Sequence, residues 1–209
     1  MDNCKRFSYL SPMSRAQPYD RDTALNSAMT LFWEKGYHAA SLKDIEAALK
    51  MKPGSIYAAF GSKEGLFLEA LDRYFESTRS LFLSSVDESS SPLTGLVSQF
   101  TAFADLPETH EQAQTCMLLK TLVDTKSTDP HIADRAKSHL STMVDEFTTL
   151  FEKAKEEGEL SKDADAHRLA RRYQANIMAI RMERHLGTAT EEVKALAEDM
   201  AAEFERLRV

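Results

Sequence analysis

The sequence predicts an all-α protein of about nine helices, a small N-terminal head joined to a larger helical body. Three observations carry this. Glycine and proline are scarce, seven and six of 209 residues, which favours long helices over a turn-rich β fold. Apolar residues recur at i, i+3, i+4 and i+7 in one segment after another, and no segment reads convincingly as a strand. Serine, aspartate, proline and glycine fall where these segments start and stop. With 43% hydrophobic residues the chain can bury a sizeable core in one or two domains. No internal repeat or low-complexity segment interrupts it.

Residues 1–19 lack helical periodicity and hold Pro12, Pro18 and several serines. They read as a flexible N-terminal arm. One reading makes Lys5, Arg6 and Arg15 a basic arm for DNA phosphates or a minor groove; the plainer one, a disordered tail, is preferred. Asp20 to Lys35 is a helix with Ala24, Leu25, Ala28, Leu31 and Phe32 on one face, and Gly36 is its C-cap. Trp33, the single tryptophan, reads as a core residue of the head. Ser41 to Lys50 is the next helix, with Ser41 and Asp44 in capping-box positions and Leu42, Ile45 and Leu49 as its stripe. Met51-Lys52-Pro53-Gly54 makes a corner, since proline suits the first turn of a new helix. Ser55 to Phe60 follows, closed by Gly61, and Ser62 caps the helix after it.

The body continues the pattern. Lys63 to about Val86 is a long helix with Leu66, Phe67, Ala70, Leu71, Tyr74, Phe75, Leu81 and Phe82 at helical spacing. Its first half is expected to pack on the head and its second on the body, which makes it the mechanical link. A loop over Asp87 to Ser91 leads to a helix from Pro92 to about Leu106, then a polar connection from Pro107 to Glu111. Thr115 to about Thr125 is short and apolar. Asp129-Pro130 starts a helix to about Glu157, ended by Gly158. Helices over 165–186 and 190–207 close the chain.

The stretch from Ser41 to Lys63 has a shape with a use. A helix of about two turns is too short to stand alone, and one held out on a compact support is how a helix-turn-helix offers side chains to the major groove. Ile56 and Phe60, spaced i, i+4, are expected to face inward and Ser55, Tyr57, Ala58 and Ala59 outward. Tyr57 can donate to a phosphate, Ser55 can reach a phosphate or a base edge, and Ala58 can touch a thymine methyl. Lys63 and the free N–H groups at its helix start suit a phosphate.

Gly36-Tyr37, SLKDI from Ser41, and GSIYAAFGSKEGLF from Gly54 together resemble the DNA-binding domain of the TetR family of bacterial transcriptional regulators. The ordered set is specific where a lone GxxY is weak, and it covers about residues 20–75; the remainder is similar to the family in length and helical layout. The resemblance implies a DNA-binding domain over 20–65 and an effector-binding and dimerisation domain over 66–209. It implies that Ser41, Lys52, Gly54, Ser55, Tyr57 and Lys63 face DNA, and that Tyr37 packs back on the helix-turn-helix. Ala58 and Ala59 depart from a common pattern of bulkier or imidazole side chains, which suggests fewer direct base contacts. It further implies a two-fold homodimer through the last two helices, an inverted-repeat double-stranded DNA operator, and repression relieved by a small-molecule effector.

Charge distribution agrees. The net charge is −7, yet residues 1–63 hold nine Lys and Arg against six Asp and Glu, and the body carries the acidic excess. For an effector pocket the candidates are Phe100, Phe103, Cys116, Met117, Lys120, Phe147, Phe151, Tyr173 and Met178, with Met182. Methionine and aromatic residues at this spacing read equally as simple core. Lys120, Arg171, Arg172, Arg181 and Arg184 are candidate partners for an anionic effector, or else solvated and interface charges. Cys116, near a helix start and one turn from Lys120, is a candidate thiol sensor, against the reading as a small buried hydrophobe. Cys4 reads as incidental.

Other classes find little support. Two cysteines make no disulfide framework, six histidines are scattered without HExxH, and no GxSxG, Walker loop or GxGxxG occurs. No catalytic constellation, metal set or cofactor motif is expected. No apolar run approaches about 20 residues and no signal-peptide core follows the N-terminus, so a cytoplasmic, membrane-free protein is expected. The competing reading is an all-helical interaction protein without DNA function.

Overall fold

The computed structural model describes residues 20–106 and 115–209. The expected arm, with Cys4, Lys5, Arg6 and Arg15, and the connection from Pro107 to Glu111 lie outside the described residues. Among those described are nine α-helices and one isolated antiparallel bridge, Leu160 with Arg208.

Local chemistry sets the head. In α1 (Arg21–Ala39), Asp20 caps the start, and Gly36 breaks the helix with φ 79°. A side chain at Gly36 is strained because its φ is left-handed, and a Cβ there, 2.9 Å from Asp124 Oδ2, would also push that carboxylate aside. α2 (Leu42–Leu49) has the full capping box: Ser41 Oγ accepts from the Asp44 N–H at 3.2 Å, and the Asp44 carboxylate accepts the Ser41 N–H at 2.8 Å. Lys50 turns left-handed, and Lys52 serves as N-cap for α3 (Pro53–Phe60). That helix starts two residues earlier than the sequence suggests, because Pro53 fits the first helical position. Ser62 accepts from Gly65 N–H at the start of α4 (Lys63–Asp87).

The body comprises α5 (Pro92–Asp105), α6 (Met117–Thr125), α7 (Pro130–Glu156), α8 (Ala166–Leu186) and α9 (Thr190–Glu205). α6 begins two residues later than expected, since Cys116 is its N-cap. α9 ends two residues short of Leu207.

Two apolar cores result. The first joins α1, α2, α3 and the first half of α4 to Met117 and Leu118 of α6 and Ile132 and Ala136 of α7. Packing therefore runs across the expected domain boundary at residue 65, because α6 and α7 close the open side of the head. The second core joins the end of α4 to α5, α7, α8 and α9. Tyr173 sits at its centre, with the rings of Phe82, Phe100, Phe147, Phe151 and Phe204 at centroid distances of 4.9 to 6.5 Å. Its hydroxyl donates to the Leu96 carbonyl at 2.9 Å, which satisfies a polar atom that burial otherwise penalises. Each such buried ring contributes about 1.5–3 kcal/mol.

α4 passes through both cores, as its expected role as a link requires. One residue of its stripe departs: Leu81 is 58% exposed. The buried line over this stretch passes through Phe82 and Val86, and Leu81 falls one step around the helix.

Candidate nucleic-acid interface and the cavity behind it

α3 is anchored from below. Ile56 and Phe60 are buried in the first core, and Arg21 lies over the Phe60 ring at 5.1 Å. Gly54, Tyr57 and Ala58 are exposed, whereas Ser55 and Ala59, expected outside, are half-buried against the support. Nothing lies within 4 Å of a Cβ built on Gly54, so in the free protein its missing side chain has no structural reason. Lys52 is exposed beside it and makes no side-chain cap bond, which leaves the start of α3 open to an anion.

The flanking candidates are more constrained. Ser41 commits its N–H and hydroxyl to Asp44, and Asp44 is itself paired with Lys35 at 2.6 Å. The hydrogen bond from Lys35, with those from Ser41, holds the Asp44 carboxyl well below the usual carboxylate range. Lys63 is half-buried with its ammonium 4.7 Å from the centre of the Tyr37 ring. Burial lowers its pKa, and Asp129 acts in the opposite direction. Tyr37 also meets Phe67 edge-on at 5.0 Å, so it does pack back on the helix-turn-helix.

Behind the head lies a partly open cavity of about 50 Å³ at the seam between the two cores. α4, α7 and α8 form most of its wall, with Phe103 from α5 and Cys116 and Leu118 from around the α6 start. Of the sequence-predicted pocket residues, Phe103, Cys116, Phe147, Tyr173 and Met178 line it. Phe100, Met117, Phe151 and Lys120 do not. Phe100 and Phe151 are fully inside the second core and Met117 is inside the first. Lys120 donates to the Trp33 and Glu34 carbonyls at 2.8 and 2.9 Å, where a cation suits the closing turn of α1. Met182 is 42% exposed and points away.

The cation of the cavity is Arg181, 4% exposed on the buried stripe of α8. Its Nη1 donates to the Tyr74 hydroxyl at 3.1 Å, and its guanidinium carbon lies 4.9 Å from the Phe103 ring centre. Burial opposes its charge, but the Tyr74 oxygen and Cys116 sulfur facing it leave its pKa above the ordinary value. Burial likewise raises Tyr74. The other candidate cations lie elsewhere: Arg184 caps α5 through the Ala104 and Leu106 carbonyls at 2.8 and 2.6 Å, Arg172 pairs with Glu203, and Arg171 is exposed. Tyr74, Gln174 and Arg181 are lining residues that pocket reasoning from the sequence passed over or left among several charges. The signal for Arg181 was present: it continues the line Ala170, Tyr173, Ile177 at helical spacing, a core position holding a charge.

Among the described residues, no group of three or more His, Cys, Asp or Glu is placed to hold a metal ion, and no helix is long and apolar enough to cross a membrane.

A two-turn helix on a rigid three-helix support, carried by a helical body with its own cavity, defines a helix-turn-helix transcriptional regulator. Comparison with known proteins agrees. A family described as "Bacterial regulatory proteins, tetR family" matches residues 24–70, and one described as "Tetracyclin repressor-like, C-terminal domain" matches residues 92–200. The chain belongs to the TetR family. The HTH-type transcriptional repressor ComR of Escherichia coli is 28% identical over 187 residues, 88% of this chain and 89% of the relative. The HTH-type repressor BdcR, also of Escherichia coli, is 40% identical over 60 residues, 29% of this chain and 30% of BdcR. A cysteine mutant of the TetR-family regulator CifR, solved with a 26-bp double-strand operator DNA, is 27% identical with a TM-score of 0.82, covering 90% of this chain and 98% of that one. The chain is thus a sequence-specific DNA-binding transcriptional regulator.

Proposed function

We propose that this regulator is a homodimeric cytoplasmic repressor, released from an inverted-repeat operator when a small molecule enters the cavity between its cores. The observation that carries the reading is the position of that cavity. It lies against α4, which starts at the DNA-binding head and ends in the second core. A ligand that widens the seam must move α4 or its partners, and so favours one head arrangement over another. Ser41, Lys52, Gly54, Ser55, Tyr57, Ala58 and Lys63 are the proposed DNA-facing residues. Gly54, Tyr57 and Ala58 on the open face of α3 support this. Pairing through α8 and α9 is supported by the exposed apolar side chains Met182 and Leu186 on α8. Operator-bound CifR supports the DNA partner. Two heads are expected on half-sites about one duplex turn, or a multiple of it, apart.

A thiol response at Cys116 is the second reading. It draws on one observation: the buried thiol faces the cavity with Arg181 close by. If Cys116→Ser left every oxidant and electrophile response intact, that reading would end.

Fluorescence anisotropy with DNA from upstream of the protein's own gene, against an unrelated duplex, tests the main reading across a salt series. Tight binding to the first alone, weakening with salt as phosphate contacts require, is expected. No binding to any duplex at low salt would overturn it.

A further inference from the structure

Arg181 is a buried cation with an unfinished set of partners. Its Nη1 is engaged by Tyr74, but Nε and Nη2 are buried and without a hydrogen-bond partner. No carboxylate lines the cavity among the described residues. Leaving a buried donor unpaired is costly, more so when it carries charge. In a guanidinium, Nε–H and the Nη2–H groups share one edge. That edge is the fork that meets both oxygens of a carboxylate in a side-on bidentate pair. Tyr74 holds the opposite nitrogen, Phe103 covers a face and the Cys116 sulfur stands close to the guanidinium, so the plane is fixed while Nε and Nη2 have no oxygen to donate to.

We propose that the cavity takes an organic carboxylate, seated on the Nε–Nη2 edge of Arg181 with its apolar body among the rings and aliphatic side chains of α4, α7 and α8. The inference rests on the effector reading above and names its chemical class. The void is about 50 Å³, whereas a benzene-binding cavity measures about 150 Å³. The cavity as it stands therefore has room for a headgroup and little more. Any longer carboxylate must part α8 from α4 as it enters. Tyr74, held between Arg181 and Trp33, then carries the displacement toward α1.

Acetate, hexanoate and benzoate, each beside its amide, are the probes. Binding to the full chain is followed by thermal unfolding and by fluorescence of Trp33, the single tryptophan. The charge-assisted fork predicts that at least one carboxylate binds about tenfold or more tighter than its amide. Arg181→Lys keeps the charge but loses the fork, and Arg181→Met loses both; the preference should vanish in each. The proposal is overturned if amides bind as well as carboxylates, if the preference survives in both variants, or if none of the three carboxylates binds. If a variant does not fold, the wild-type comparison of acid with amide decides. Operator anisotropy separates the two readings. An Arg181-dependent carboxylate that leaves the operator complex unchanged keeps this site and defeats the effector reading. An amide that releases operator while its acid does not keeps the effector reading and defeats this one.

Discussion

The indole of Trp33 meets the phenol ring of Tyr74 edge-on, with centroids 5.0 Å apart. Trp33 belongs to the first helix of the DNA-binding head, and Tyr74 holds the buried Arg181 at the cavity wall. The Trp33 Nε1–H also donates to the Thr115 carbonyl at 2.6 Å. One side chain thus ties the head to α4 and to the segment that leads into α6. The sequence placed Trp33 in the core of the head; its position at the junction comes from Tyr74 of α4 and from Thr115, 82 residues away.

Trp33→Phe keeps a ring against Tyr74 and removes the bond to Thr115. A loss of about 1 kcal/mol is expected, which lowers Tm by about 2–4 °C in a protein of this size. Calorimetry checks it; an unchanged Tm would show that the junction bond contributes nothing net.

Tyr57→Ala and Lys63→Ala are expected to weaken operator binding without unfolding the protein. Tyr57 is 45% exposed, so its loss leaves no cavity. If Lys63 meets a phosphate, its removal lowers affinity alike on all sequences and reduces the salt slope by about 1. Anisotropy with unchanged affinity in both variants would sink the assignment of this face to DNA.

Gly54→Ala and Gly65→Ala should part company. A Cβ at Gly54 meets nothing, so stability is expected to hold or rise, while operator affinity falls if the backbone lies close to DNA. A Cβ at Gly65 lies 2.3 Å from the Phe60 carbonyl oxygen, so the α3–α4 turn must shift. A loss of about 1–3 kcal/mol is expected there, read by urea denaturation. A Gly54→Ala variant that binds operator as well as wild type would remove Gly54 from the interface.

Asp44 predicts an acid dependence. Its folded pKa lies below the ordinary value of about 3.9, owing first to Lys35 and then to Ser41. The stabilisation is therefore present above that value and is lost as the pH falls through the depressed folded range. Urea midpoints of wild type and Asp44→Asn should differ near neutral pH and converge as the pH drops below about 4. A gap independent of pH would mean that the carboxylate charge is not what secures α2.

Much of this protein was legible in its sequence because the relevant interactions are local. The Ser41–Asp44 box, Pro53 at a helix start, Gly36 and Gly158 with left-handed φ, and the stripes of α4 and α7 all act within a few residues of themselves. These set the helix ends to within about two residues, except that α1 kinks at Gly36 and runs on to Ala39 where an end at Lys35 was expected, and the ordered motif around Gly54 and Tyr57 pointed to the head. Tertiary structure alone decided which apolar residues line a space and which fill one. Phe100 and Phe147 share a period and a chemistry, yet one is solid core and the other cavity wall, because that depends on what the facing helix supplies. It also decided the cation. Lys120 and Arg181 are both compatible with a pocket from their spacing, but Lys120 reaches carbonyls at the end of α1, and Arg181 is enclosed by α4 and α5 with its fork unpaired. Burial and partnership are properties of distant segments brought together, and no local pattern encodes them.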